Sequence, residues 1–225
     1  MTAISAEGGV GGMRESADRN GMDIRWIMPD GFFEIPMDAE DLDETADRLM
    51  ALARTVMPEA DFAVQLEWAV MLAAHYDSFV EAGVHYSGFV LTEVEGTRCT
   101  ATVTVSMIDL DAEAGPRPVG FLGSSLRHLG IGQVSEIDLP CGPAVCCIGE
   151  RQGRLDGSLT VSGKDEALRT SFIQVQVPLT NGTVLVLEMS TPTPEGWDVF
   201  SAMFAGVAKS VRLFDVEGES LVMPA

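Results

Sequence analysis

The most constraining stretch of this sequence is residues 169–191, where Asn181-Gly182 joins two runs of alternating apolar and polar side chains. An Asn-Gly pair between such runs marks a β-hairpin, because both residues tolerate the left-handed backbone of a tight turn. Pro178 then decides the register. A two-residue loop sets Pro178 opposite Leu185 at a hydrogen-bonded site, which proline cannot fill. A three-residue loop with Gly182 as a left-handed bulge shifts the pairing by one. Val177 then faces Leu185, Val175 faces Leu187 and Ile173 faces Met189, while Gln176 and Gln174 move to the other face beside Val186 and Glu188. Only this register separates apolar from polar sides, so it is the one expected.

A second stretch carries the same rhythm. Residues 84–94 and 97–108 flank Glu95-Gly96, and in the second run Cys99, Ala101, Val103, Val105 and Met107 alternate with Arg98, Thr100, Thr102, Thr104 and Ser106. That is an antiparallel strand with one wet face. Further strands are expected at 133–139 and 144–150. The polar stretch 151–167 reads as a loop or a weak hairpin containing 158–161. Near the N-terminus, residues 24–27 and 32–35 are extended pieces around a Pro29-Asp30-Gly31 turn, and Pro36 closes the second.

Helical periodicity occupies the remainder. Asp41 and Glu44 have capping spacing, Pro58 ends the helix, and Leu42, Ala46, Leu49, Ala53 and Val56 form its stripe. A second helix runs from about Asp61 to Ala82, with Gly83 as its stop. Phe62, Leu66, Ala69, Ala73, Tyr76 and Val80 are expected as its core stripe, and Trp68, Met71, Leu72, His75 and Phe79 form another apolar strip. A helix apolar on more than one side is covered more than once, by two layers of the domain, by a second subunit or by a partner. A short helix is expected at 121–129. Thr193-Pro194 begins the last helix as N-cap and first helical residue, with Trp197, Phe200, Phe204, Val207 and Val211 inward.

Residues 1–22, rich in Gly, Ser and charge, read as a flexible tail before one α+β domain at 23–225. Lys and Arg number 14 against 34 Asp and Glu, a net charge of −20. Such a surface repels nucleic-acid phosphates and anionic lipid. No secretory signal pattern opens the chain and no apolar run is long enough to span a bilayer, so a cytoplasmic location with reduced thiols is expected.

Two segments carry a resemblance to a known family. Trp26-x-x-Pro29-x-Gly31-Phe32-x-x-Ile35-Pro36 resembles the opening strand of the PsbP-like superfamily. Val177-Pro178, Asn181-Gly182, Leu185-Val186-Leu187, Ser190-Thr191-Pro192 and the aromatic helix from Trp197 are similar to the closing hairpin and helix of its actinobacterial members. EagR-type secretion chaperones and Ran-binding nucleotide-release factors share the scaffold. The resemblance implies an α+β fold with a mainly antiparallel sheet between helices, an α/β/α sandwich. It also implies a non-enzymatic binding module.

The motifs of chemistry give no competing answer. P-loop, dinucleotide, Gly-x-Ser-x-Gly and His-Glu-x-x-His patterns are all missing from the sequence. Cys141, Cys146, Cys147 and His128 lack zinc-knuckle spacing, and adjacent Cys146 and Cys147 point to opposite faces of a strand. Cys141 lies in the turn Pro140-Cys141-Gly142-Pro143, where exposure is expected, but Glu136 and Asp138 would oppose its thiolate. The acidic run from Asp38 to Asp47 lacks EF-hand spacing and suits a helix start. No catalytic, cofactor-binding or metal-binding residue is assigned.

The strip Trp68, Met71, Leu72, His75 and Phe79 is therefore the candidate partner-binding face, with ordinary core as the plainer reading. The expected function is a protein-interaction module, an adaptor or chaperone for a hydrophobic or basic segment. The alternatives are a small-ligand protein or enzyme with a pocket between sheet and helices, near Cys141, His128 or His85, and a homodimeric structural protein.

Overall fold

The computed structural model describes residues 12–17, 21–39, 41–110, 118–155, 157 and 162–224. Its centre is a seven-stranded sheet in the order β3(Phe33–Ile35), β4(Val84–Val94), β5(Thr97–Asp109), β9(Thr183–Thr191), β8(Glu166–Pro178), β7(Gly142–Leu155), β6(Gly132–Leu139). Every neighbouring pair is antiparallel. The expected register holds: Ile173 faces Met189, Val175 faces Leu187 and Val177 faces Leu185, with Gly182 at φ 82° in the turn. Alternation in β5 also holds, since Cys99, Ala101, Val103 and Val105 are buried while the intervening threonines are half-buried.

One face of this sheet carries the main core. The helix α4(Trp197–Ser210) lays Phe200, Phe204 and Val207 on it. Beside α4 sits a small second sheet, β1(Gly12–Ala17), β2(Asp23–Met28), β10(Arg212–Phe214) and β11(Ser220–Leu221). It buries Ile24, Trp26, Met28 and Leu213 in the same cluster. The opposite face carries α3(Pro118–Leu129), whose Leu122 and Leu126 pack on Val145, Cys147, Phe172 and Val186. The same face carries the hairpin of α1(Leu42–Val56) and α2(Phe62–Glu81) over β3 and β4. The fold is α+β, with an antiparallel sheet between helical layers. Between α1–α2 and α3 the sheet surface is polar: Arg151 pairs with Glu188 and lies 4.0 Å over the Phe172 ring, and Gln174 donates to Glu188.

Local chemistry explains the helix ends. Asp41 accepts from the Glu44 amide at 2.8 Å, and Asp61 accepts from the Val64 amide at 3.0 Å. Between the helices, the buried Gln65 amide donates to the carbonyls of Met57 (2.9 Å) and Ala60 (3.1 Å), which binds the connecting turn to α2. Gly83 closes α2 at φ 68°, and a Cβ there would lie 2.3 Å from the Met107 carbonyl oxygen, so only glycine fits.

Four expectations change. The tail expected over residues 1–22 is interrupted by β1, which pairs antiparallel with β2; residues 1–11 and 18–20 lie outside the described residues. Its polar composition hides it, because an edge strand is held by backbone pairing rather than by an apolar face. The stretch 151–167 is not mainly loop: Arg151–Leu155 and Glu166–Thr170 continue the β7–β8 ladder, and 158–161 lie outside the described residues. Thr193 precedes a short 3-10 turn, Pro194–Gly196, but caps nothing with its side chain; its hydroxyl donates to the Thr100 carbonyl at 3.1 Å instead. In α1, Leu42 is 77% exposed and Thr45 replaces it beside Leu49 and Ala53 in the buried row.

Candidate functional site

The helix α2 is attached by little. Of its 20 residues only Gln65 and Ala69 are buried. Small Ala69 lets α2 approach Leu49 and Ala53 of α1 closely, and Trp68 and Leu72 pack against that cluster from its edge. The Trp68 ring stands edge-on to Phe89 of β4 with centroids 5.9 Å apart. These contacts decide how α2 is rotated. Trp68, Met71, Leu72 and Phe79 are half-buried and His75 is exposed.

Of the row expected as core, Ala69 is buried and Tyr76 half-buried, but Phe62, Leu66, Ala73 and Val80 face solvent, as does Val70 beside them. Phe62 is 62% exposed, Leu66 41%, Val70 59% and Val80 54%, and Ala73 is exposed as well. At i, i+4, i+8 and i+11, Phe62, Leu66, Val70 and Ala73 share one side of the helix, so these are not scattered surface residues but a continuous apolar strip. Glu67, Asp77 and Glu81 border it, and α2 carries no lysine or arginine. Acidic Glu59 and Asp61 lie just ahead of it in the chain.

A second feature was not legible in the sequence. A cleft of about 450 Å³ opens where the small sheet, β3, β4 and α1 meet. Arg14, Glu15 and Trp26 line one wall, Glu34 to Asp38 the floor, His85 and Tyr86 another side, and Arg48 and Ala51 of α1 the last. Arg14 Nε donates to Glu34 Oε1 at 2.7 Å, and the Tyr86 hydroxyl reaches the same oxygen at 3.4 Å. Arg48 donates to Asp38 at 2.7 Å and lies 3.4 Å from Glu44. The hydrogen bond to Glu34 raises Arg14 and the one to Asp38 raises Arg48, so both guanidiniums stay charged. Burial, then the Glu34 charge, pushes the Tyr86 phenol up and keeps it a neutral donor. Trp26 meets Tyr86 edge to face, centroids 5.8 Å apart, and its indole Nε1 is buried without a hydrogen-bond partner among the described residues. His85 Nδ1 lies 2.9 Å from Ser16 Oγ.

The cysteines form no site. Cys141 was expected to be exposed in its turn and is wholly buried, because the Cys141 carbonyl accepts from the Met223 amide at 2.8 Å and the C-terminal segment covers the turn. Burial pushes the thiols of Cys141, Cys146 and Cys147 up, away from the thiolate a nucleophile needs. Cys146 packs toward the α4 core and Cys147 toward α3, on opposite faces as expected. His128 sits in the last turn of α3, remote in sequence from the cleft residues. Among the described residues no cluster of His, Cys, Asp and Glu has metal-holding geometry, and no helix is long and apolar enough to cross a membrane.

No family model matches the chain, and no curated protein matches it. Among solved structures it is similar to the solution structure of cyanobacterial PsbP (CyanoP) from Synechocystis sp. PCC 6803, at 10% identity and a TM-score of 0.41, over 95% of this chain and 99% of that one. It is also similar to LpqN, described as involved in cell envelope biogenesis of Mycobacterium tuberculosis, at 11% identity and a TM-score of 0.40, over 89% of this chain and 91% of that one. Both are similarities of fold alone.

Proposed function

We propose that this protein is a non-enzymatic interaction module, an adaptor or chaperone, that holds an amphipathic segment of a protein partner on the outer surface of α2. The carrying observation is the exposed strip Phe62, Leu66 and Val70 with carboxylates along its border. An isolated apolar strip of this length is unfavourable in water, and burying it at about 25 cal/mol per Å² rewards any complementary surface. Charge selects the occupant. A second copy would bring the same acidic border and the same net charge of −20 against itself, so self-association is disfavoured. A helix or strand with one apolar face and a lysine or arginine rim satisfies both demands.

In this reading the strip expected from sequence has divided roles. Trp68 and Leu72 anchor α2, Phe79 is half-buried beside them, and Met71 and His75 lie on the side of the helix away from the docking strip. The acidic surface also suits the expected cytoplasmic location and keeps the partner's choice to basic segments.

Calorimetry with a designed Leu/Lys amphipathic peptide tests this. Saturable binding is expected, lost for a Leu/Glu counterpart of the same pattern and lost again in a Leu66→Glu/Val70→Glu variant that retains its thermal transition. Equal binding of the Leu/Glu peptide, or full binding by the variant, would refute it. Light scattering is expected to give a monomer; a dimer abolished by the same variant would instead assign the strip to a second copy.

A further inference from the structure

The cleft beside β1 is separate from the α2 surface and has a chemistry of its own. We propose that it binds an organic cation, a guanidinium or primary ammonium group, held by Glu34 and Asp38. Three observations lead there. First, the two arginines in its wall are already neutralised, Arg14 by Glu34 and Arg48 by Asp38 with Glu44 beside it. An anion entering here meets guanidiniums whose charge is already offset by carboxylates. Second, acceptors are not exhausted: Glu34 and Asp38 face the two arginines across the cleft, and Glu15 at its rim is shared with Arg25 at 3.9 Å. Among the described residues Glu34 uses only Oε1 for its bonds to Arg14 and Tyr86, and Asp38 uses only Oδ1 for Arg48, so the second oxygen of each has no hydrogen-bond partner there. An entering cation engages both while Arg48 keeps Glu44. Third, the buried Trp26 and Tyr86 rings, edge to face with each other, back two sides of the cleft, and this apolar lining suits an alkyl-bearing cation over a hydrated metal ion.

The unpartnered Trp26 indole N–H adds a demand. A buried donor without an acceptor is unfavourable, and a ligand that carries a carbonyl beside its cation satisfies it. Blocked arginine, with amides at both ends, has both groups. The same head group reaches the cleft either as a free small molecule or as a side chain of a peptide.

The test titrates the full chain with doubly blocked arginine and with doubly blocked citrulline, its uncharged isostere, by calorimetry. Saturable one-site binding is expected for arginine, at least about tenfold tighter than for citrulline, because charge-assisted bonds to carboxylate are about twice as strong as neutral ones. Asp38→Asn is expected to weaken arginine about fivefold. Its side chain is 80% exposed, so the fold is unaffected. Glu34→Gln is expected to abolish binding, read only if its thermal transition survives the loss of the Arg14 pair. The Trp26 indole resonance is expected to shift on saturation. A pentapeptide with one central arginine that binds about tenfold tighter than the blocked residue assigns the site to a partner's side chain; equal affinity assigns it to a free cation. Equal binding of citrulline, an unaltered affinity in Asp38→Asn, or no saturation with either arginine probe would overturn the proposal.

Discussion

Two aromatic truncations on α2 should have opposite consequences. Trp68 is half-buried, packs on the Leu49–Ala53–Ala69 cluster and stands edge-on to Phe89. A fully buried Trp→Ala change costs about 3–5 kcal/mol, and an aromatic pair accounts for about 0.5–1.5 kcal/mol beyond area. With part of the ring already in solvent, Trp68→Ala should cost about 2 kcal/mol. Phe62 is 62% exposed, so only the smaller part of its ring leaves a shielded position on truncation. Phe62→Ala should therefore cost under about 1 kcal/mol, set against about 3 kcal/mol for a wholly buried ring. For a chain of 225 residues these differences correspond to a fall in Tm of about 4–8 °C for the first variant and less than about 4 °C for the second. Urea denaturation followed by circular dichroism, with a thermal scan beside it, measures both. Peptide binding should reverse the order: Phe62→Ala loses affinity while Trp68→Ala, once folded, retains most of it. Equal destabilisation, or a Phe62 variant that melts lower than the Trp68 variant, would refute the assigned rotation of α2.

Other consequences follow from single positions. Gly83→Ala places a Cβ 2.3 Å from the Met107 carbonyl oxygen at φ 68° and should destabilise by about 2–4 kcal/mol, measured by the urea midpoint. Glu95 holds φ 50° in the turn before Gly96, a position that asparagine fills better, so Glu95→Asn should raise the midpoint by about 0.5 kcal/mol. Burial raises the Cys141 thiol and the Tyr86 phenol. A raised folded-state pKa lends stability that is complete below the unfolded-state value and is lost as pH climbs toward the folded one. Unfolding free energy should thus hold up to pH about 8.5, fall above it, and fall faster beyond about 10, by up to about 1.4 kcal/mol per pH unit for each group. Tyr86→Phe should flatten the steeper part; a wild-type profile level through pH about 11 would contradict this.

Much of the sheet was legible because strand periodicity leaves little choice. In β5, Cys99 to Val105 alternate so strictly that the buried face is settled, and Pro178 excludes the rival register of the β8–β9 hairpin by removing a donor. The helix α2 was harder. It is apolar around most of its circumference, so periodicity identifies a helix but not its inward side. Small Ala69 against Ala53, and the position of Phe89 beneath Trp68, make that choice through tertiary contact. β1 was missed because Arg14, Glu15 and Ser16 offer no apolar face; pairing with β2 and the Arg14–Glu34 bond hold it. The cleft was invisible for a related reason. Arg14, Glu34, Arg48 and Tyr86 come from four elements far apart in the chain, and no spacing in one dimension announces them.

The account rests on Leu66 and Val70 facing solvent while Leu49 and Leu187 do not. Methyl NMR of the full chain with a soluble paramagnetic agent measures this directly. Strong broadening of Leu66 and Val70, relieved when the Leu/Lys peptide is added, with Leu49 and Leu187 sharp throughout, is the result required. Leu66 and Val70 as sharp as Leu187 in the free monomer, or broadened equally with and without the peptide, would contradict it.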